Sequence, residues 1–180
     1  MEALRELAGF FPDAARDLRL NLQSVLAESS LSEGQRWLVA LSCALSKGDH
    51  SLARAIVASA GPTASEALVD DAKAVAALMA MNNVYYRFRH MLGKEAYSSL
   101  PARLRMNRMA QPKTSKADFE LATLAVSALN GCERCIQSHE QAVRAHGLSE
   151  VHVHDAARIA AVIAGASTAL SLAGFAPTAV

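Results

Sequence analysis

The run from Phe119 to Leu129 is apolar almost throughout and carries a single carboxylate, Glu120. Asn130-Gly131 breaks it, and Cys132-Glu133-Arg134-Cys135-Ile136-Gln137-Ser138-His139 follows at once. An apolar helix, a two-residue breaker and a new segment at helical spacing leave few arrangements. The second helix should open at the cysteines, and the break lets it fold back on the first. At helical spacing Cys132, Cys135 and His139 are related as i, i+3 and i+7, so they lie on one face.

A helix start has chemical consequences for a thiol. The first turn offers unpaired N–H groups and the positive end of the helix dipole. A thiol there loses its proton more readily, and the thiolate is the reactive form. Two thiols at this spacing can close a small disulfide. The stretch is suited to cycling between dithiol and disulfide, with His139 as proton carrier. Two other readings use the same residues. One is a zinc site built from Cys132, Cys135, His139 and His146, although zinc usually takes its four ligands from two separate pairs and no second CxxC exists here. The other is a pair of buried structural cysteines, since a free cysteine behaves as a small hydrophobe. Glu120 is equally open between a first-turn acid and a partly buried base linked to His139.

The rest of the chain reads as helices with short breaks. Leu4–Gly9 forms a first short helix. Pro12-Asp13 starts the next, with Leu18, Leu22, Val25 and Leu26 on one face. Ser32 caps Gln35–Ser46, and Lys47-Gly48-Asp49 ends that helix. Ser51–Ser59 is another, and Gly61-Pro62 is a breaker. Ser65 caps a long helix running through Ala72, Val75, Ala76, Met79 and Val84 to about Leu92. Residues 93–115 are the least regular. Ala117–Leu129 precedes the cysteine helix Cys132–His146, with Gly147 at its C-cap. Ser149 begins a last helix that reaches about Leu172. No segment has a strand's period of two, so the expected class is all-α.

A constant offset lays Ala44-Leu45 on Ala128-Leu129 and Gly48 on Cys132. The same offset lays Val69, Asp71-Ala72 and Ala76-Ala77 on Val153, Asp155-Ala156 and Ala160-Ala161. The 180 residues are therefore expected to form one domain of two related halves, about 31–92 resembling about 115–176. In this register Ser51 stands at the place of Cys135 and Ala55 at that of His139, so the first half lacks the chemistry. Cys43 is expected in the core. His152 and His154 point apart and are expected at the surface near a helix start. His50 and His90 have no partners visible in sequence, and Trp37 reads as core or interface. The Asn82-Asn83, Tyr85-Tyr86 and Arg87-Phe88-Arg89 cluster is unusual on a helix rich in Ala and Met. It suits an interhelical hydrogen-bond network or an oligomer contact.

Composition excludes several classes. The chain is 52% hydrophobic but only 5% aromatic, which suits closely packed helices. A formal net charge of +1 gives no electrostatic case for nucleic acid or a membrane surface. Three cysteines, two of them in CxxC, do not make an extracellular disulfide framework and suit a reducing compartment. Met1-Glu2-Ala3-Leu4-Arg5-Glu6-Leu7 is charged and unlike a signal peptide, so a cytoplasmic location is expected. No apolar run reaches the ~20 residues of a membrane span, and Ile159–Leu172 reads as a buried core helix.

Glu120, followed by Asn130-Gly131-Cys132-x-x-Cys135-x-x-x-His139, resembles the alkylhydroperoxidase D (AhpD) family, within the carboxymuconolactone-decarboxylase-like superfamily. Asp17-Leu18-Arg19-Leu20-Asn21-Leu22, Met79-Ala80-Met81-Asn82-Asn83-Val84-Tyr85-Tyr86-Arg87 and Leu104-Arg105-Met106-Asn107 resemble it too, as does the length. Some members carry His just before the second cysteine, where this chain has Arg134, so any proton-transfer role of that His does not carry over.

The resemblance implies an AhpD-like helical fold and an antioxidant, thiol-dependent alkyl hydroperoxide reductase. In enzyme terms this is an oxidoreductase acting on peroxide as acceptor, a lipoyl-dependent peroxiredoxin. It implies Cys135 as the attacking thiol, passing through a sulfenic acid, and Cys132 as the resolving thiol and proton donor. His139 and Glu120 become the proton path. Spacing alone does not choose the attacker, and helix-end electrostatics slightly favours Cys132. No bound cofactor or metal is implied. Dihydrolipoamide, carried on a lipoylated acyltransferase, is the electron-donating substrate. The peroxiredoxin AhpC is the partner, met through a transient mixed disulfide at Cys135, and organic hydroperoxides are the other substrates. A homotrimer is implied. The competing classes are a metal-binding structural protein on Cys132, Cys135 and His139, and a non-redox decarboxylase-like enzyme of the same superfamily. Members of the latter often lack CxxC.

Overall fold

The helices begin where the sequence provides caps. In the computed structural model, which describes residues 1–174, Ser32 Oγ accepts from the backbone N–H of Gln35 while Gln35 Oε1 accepts from that of Ser32. Ser65 Oγ accepts from Leu68 N–H, and Ser115 Oγ from Asp118 N–H. Among the described residues nine α-helices follow in order: α1 Glu2–Ala8, α2 Arg16–Ala27, α3 Glu33–Ser46, α4 His50–Ala60, α5 Glu66–Leu92, α6 Glu95–Ser98, α7 Lys116–Leu129, α8 Glu133–Ala145 and α9 Glu150–Ala173. Short 3₁₀ turns lie at Asp13–Ala15, Gly61–Thr63 and Asn107–Ala110. There is no strand among the described residues. The all-α expectation holds, with most helix ends within one or two residues. The second helix begins later, because a 3₁₀ turn intervenes after Pro12.

Two helices are buried nearly all round. α3 buries every residue from Trp37 to Ala44, and α7 every residue from Phe119 to Ser127. A helix apolar on all faces needs neighbours on all faces. α3 and α7 pack on each other, and both also pack against α5 and α9. α2 covers α9, and α1 covers α4. α2 packs tightly on α9 at Gly165, where a Cβ would stand 2.8 Å from Leu18 Cδ2. α9 spans 24 residues and contains an 18-residue window of mean hydropathy 1.6, so it is long and apolar enough to cross a membrane. This corrects the expectation that no segment reaches that length. Here its face of Ala156, Ile159, Ala160, Ile163, Ala166 and Ala169 is buried.

The breaker before the cysteines is a Schellman turn. Gly131 has φ +66°, its N–H reaches the Ala128 carbonyl at 3.1 Å, and the Cys132 N–H reaches that of Ser127 at 3.0 Å. Cys132 is thereby both the residue that closes α7 and the N-cap of α8. Gly48 and Asp49 make the same turn between α3 and α4, where Asp49 is the N-cap. Counted from these caps, Leu52 and Ile56 of α4 take the positions that Cys135 and His139 take in α8. That is one residue on from Ser51 and Ala55, and both Leu52 and Ile56 are buried. Residues 175 and 176, at the end of the expected second half, lie outside the described residues.

Two buried aspartates tie loops to the long helices. Asp71 of α5 accepts from the N–H of Lys113 at 3.1 Å, from the N–H and hydroxyl of Thr114 at 2.6 and 2.7 Å, and from Arg108. Asp155 of α9 accepts from the N–H and hydroxyl of Ser30 at 2.6 and 2.8 Å, and from Arg158 at 2.9 Å. Asp71 therefore fixes the connection that leads into α7, with residues 107–110 along the way.

Candidate active site

α7 and α8 lie side by side because the Schellman turn reverses the chain between them. The turn is itself anchored to α5. Asn83 donates to Ser127 Oγ at 3.0 Å and accepts from Asn130 at 2.9 Å, while Arg87 donates to the Asn130 carbonyl. Asn83 and Arg87 of the polar cluster on α5 thus form an interhelical network, and it fixes the base on which Cys132 stands.

Cys132 and Cys135 are joined in a disulfide, with Cα atoms 5.3 Å apart. Cys132 is fully buried and Cys135 is 6% exposed. Glu133, Arg134 and Cys135 form the first turn of α8, whose N–H groups have no partner within the helix. A sulfur anion formed here meets the positive end of a 13-residue helix. The third cysteine, Cys43, is free and buried in α3, and burial pushes its thiol up to about 12. Peroxide treatment followed by mass mapping is expected to find the Cys132–Cys135 bridge, with Cys43 still a thiol and unreactive to iodoacetamide in the folded protein. A bridge or adduct at Cys43 would overturn this.

Glu120 and His139 meet. Glu120 Oε2 lies 2.7 Å from His139 Nδ1, and both residues are at least nine-tenths buried. Glu120 Oε1 pairs with Lys116 Nζ at 2.7 Å, one helical turn earlier. Burial alone would raise the Glu120 carboxyl, but hydrogen bonds from His139 and Lys116 outweigh it and hold the group down to about 2. At neutral pH it is a carboxylate and can only accept. The proton between the two residues therefore sits on His139 Nδ1, and in the neutral imidazole Nε2 then carries the lone pair. Thr123 Oγ1 lies 3.2 Å from the same Nδ1 and donates to the Glu120 carbonyl at 2.8 Å.

The sign of the pH dependence follows. The folded Glu120 carboxyl lies below its ordinary 4.5, so its partnership stabilises the fold above that pH and is lost as the pH falls towards 2. Glu120→Gln is expected to unfold at lower urea than the parent at pH 7. The gap should close between pH 4.5 and 2. A gap that stays constant across that range would contradict the shift.

A cavity of about 320 Å³ opens at this pair. Cys135, His139 and Arg134 reach it from α8, Asn82 and Tyr86 from α5, and Met106 and Met109 from the connection before α7. Cys132 does not line it. Lys116 Nζ also donates to the Met109 carbonyl at 2.6 Å, so one side chain ties the pocket wall to the Glu120 helix.

Cys132, Cys135, His139 and Glu120 are thus brought together. His146 is not: it caps the opposite end of α8, about 20 Å from Cys132 along the helix axis, so the four-ligand zinc set is not assembled. His152 corrects a simpler expectation. It is half-buried, and its Nδ1 accepts from the Ser149 N–H at 3.1 Å, capping α9. His90, without a visible partner in sequence, pairs with Glu133 at 3.4 Å. Lys116, Thr123, Met106 and Met109 were not foreseen. Only Lys116 left a signal, its i, i+4 spacing from Glu120.

Comparison with known proteins identifies the family. The sequence profile of the carboxymuconolactone decarboxylase family matches residues 95–177, which include Glu120, Cys132, Cys135 and His139. The chain is 56% identical to alkyl hydroperoxide reductase AhpD of Anaeromyxobacter dehalogenans (strain 2CP-C), over 98% of this chain and 95% of that protein. It is 54% identical to the protein of the same name from Anaeromyxobacter sp. (strain K), over 98% and 93% of the two chains. Identity to that from Azorhizobium caulinodans is 47%, over 91% and 90%. The chain belongs to the alkyl hydroperoxide reductase AhpD family.

Proposed function

We propose that this chain is a thiol-dependent alkyl hydroperoxide reductase that works through the Cys132–Cys135 pair. Family membership supports peroxide-reducing activity of the class. The observation that carries the reading is that Cys135, and not Cys132, faces the pocket beside His139. This supports Cys135 as the attacking thiol, where helix-end electrostatics alone slightly favoured Cys132.

In the reduced protein His139 Nε2 takes the Cys135 thiol proton, and Glu120 stabilises the imidazolium that forms. The thiolate attacks the terminal oxygen of the hydroperoxide. An S–O bond forms, the O–O bond breaks, and the sulfur is oxidised by two electrons to a sulfenic acid. Cys132 gives its proton to the departing alkoxide, which leaves as an alcohol. The Cys132 thiolate then displaces hydroxide from the sulfenic sulfur, and the imidazolium proton completes water. Buried behind the pocket, Cys132 resolves Cys135 and is shielded from the peroxide itself.

Reduction reverses the disulfide. Dihydrolipoamide on a lipoylated acyltransferase attacks it, and the regenerated dithiol passes electrons through a mixed disulfide at Cys135 to a peroxiredoxin of the AhpC type. Neither partner needs a bound cofactor or metal here. The cytoplasm is the compartment in which such a dithiol is kept reducible. A homotrimer is part of the same reading, as is a first half, 31–92, that repeats the fold of the second with Leu52 and Ile56 in place of the reactive residues.

The test is reduction of the isolated protein by dihydrolipoamide, followed by peroxide consumption with and without a purified AhpC-type peroxiredoxin. Reduction of the disulfide, slow turnover alone and faster turnover with the peroxiredoxin are expected. A disulfide that dihydrolipoamide leaves intact would overturn the electron-donor assignment.

A further inference from the structure

One polar side chain of the pocket wall takes no part in the proton pair or in the helix network. Asn82 of α5 is 4% exposed, and its amide N–H₂ faces only the Met109 sulfur, at 3.7 Å. Its side-chain carbonyl, Oδ1, is buried without any hydrogen-bond partner. The adjacent Asn83 has both ends of its amide paired. Leaving a buried carbonyl unpaired is unfavourable, so such an acceptor calls for a function. Asn82 lines the same cavity as Cys135 and His139. The walls beside it, Met106, Met109 and Tyr86, are apolar or amphipathic. Met109 stands beside the amide at its N–H₂ end, and an unbranched thioether chain yields readily to a ligand that reaches for the buried carbonyl.

We propose that Asn82 is the substrate-binding residue that orients the hydroperoxide, its Oδ1 accepting the O–H of the terminal peroxide oxygen while the alkyl group lies against Met106 and Met109. This rests on the reductase reading above. A hydroperoxide, R–O–O–H, has one donor, on the oxygen that the thiolate attacks, and an apolar remainder. An orphaned acceptor in a thioether-lined pocket beside the attacking sulfur matches both halves of that molecule. The hydrogen it holds is not transferred. It stays on the terminal oxygen as the S–O bond forms and the O–O bond breaks, and it ends on the sulfenic acid. The leaving alkoxide takes its proton from Cys132. The hydrogen bond therefore persists from the bound hydroperoxide to the sulfenic acid, and its loss should appear mainly in KM and little in kcat.

A disulfide substrate has no such donor, which supplies the discriminating control. The reduced protein is assayed with cumene hydroperoxide and with the neutral disulfide 4,4′-dithiodipyridine, and the ratio of the two values of kcat/KM is the readout. Asn82→Leu keeps the volume and removes the acceptor, so the ratio should fall about tenfold, through a higher KM for the hydroperoxide. Asn82→Asp keeps an acceptor oxygen. Its charge slows both reactions by opposing the thiolate, and the ratio stays within about twofold of the parent. A ratio unchanged in Asn82→Leu, or lowered equally in Asn82→Asp, overturns the role of Asn82. If Asn82→Leu does not fold, judged by its far-ultraviolet circular dichroism, Asn82→Ser replaces it with the same expectation. A parent protein that exchanges with the disulfide but does not consume peroxide defeats the reductase reading and removes the Asn82 role with it, an outcome distinct from an active parent with an indifferent variant.

Discussion

Cys135→Ser is expected to abolish peroxide reduction, a loss on the order of 10³-fold or more, because a serine hydroxyl does not ionise near neutral pH and is a far weaker nucleophile than a thiolate. Cys132→Ser is expected to behave differently. Its Cys135 still faces the pocket and still has His139 beside it, so one equivalent of peroxide is consumed and a sulfenic acid accumulates at Cys135. Nothing near that sulfur can then condense with it, since the remaining thiol, Cys43, is buried in α3. Dimedone trapping followed by peptide mass mapping reads the outcome directly. A dimedone adduct on Cys132 in the Cys135→Ser variant would reverse the two roles. It would mean that the N-cap sulfur at the helix end attacks, and that the difference in pocket exposure counts for nothing.

Much of this site was legible in the chain because its determinants are local. Asn130-Gly131 before Cys132 specifies a helix stop, and the φ of +66° at Gly131 is one that glycine adopts without strain. Ser32 and Ser65 announce helix starts, their side-chain oxygens accepting from the backbone N–H groups of Gln35 and Leu68. The spacing of Cys132, Cys135 and His139 fixes their shared face whatever surrounds them.

The remainder depended on contacts across the fold. Whether Glu120 is a surface acid or a buried partner turns on α8 folding back over α7, and its own sequence neighbours do not settle that. Met106 and Met109 reach the pocket because Asp71, far earlier in the chain, grips Arg108 and the backbone at Lys113 and Thr114. Residues 93–115 carry no periodicity that would reveal this. Asn82 stood out as polar on an apolar helix, but which of two adjacent asparagines would be paired depended on where Ser127 and Asn130 came to rest. The capping turns set α4 against α8 one residue away from the constant offset read in the sequence, because Ala-rich helices align almost equally well in neighbouring registers. Only the capping turns at Gly48 and Gly131 distinguish them.

Glu120→Gln and His139→Gln are each expected to slow peroxide reduction by about 10²–10⁴-fold, the usual worth of general-base help, and the double variant should be little worse than the poorer single one. The two side chains meet at 2.7 Å and serve one proton path, so neither loss is independent of the other. Glu120→Gln acts through the tautomer as well as the charge. A carboxylate can only accept, and so it holds the His139 proton on Nδ1. A glutamine can turn its N–H₂ towards Nδ1, which moves the ring proton to Nε2 and removes the lone pair that would take the thiol proton. It also removes the charge that stabilises the imidazolium. His139→Gln removes the base outright and leaves the Glu120 carboxylate with Lys116 and, at 3.5 Å, the Thr123 hydroxyl. Both changes weaken the cation that favours the Cys135 thiolate, so both raise the pKa of the attacking thiol. Raising the pH then supplies the thiolate without a base, and the rates of both variants should partly recover in alkaline buffer while the parent changes little. The measurement is a two-residue mutant cycle on the first-order rate of sulfenic acid formation, repeated across pH. Losses that multiply, with no alkaline recovery, would mean that Glu120 serves the stability of α7 through Lys116 and that the proton leaves Cys135 by another route.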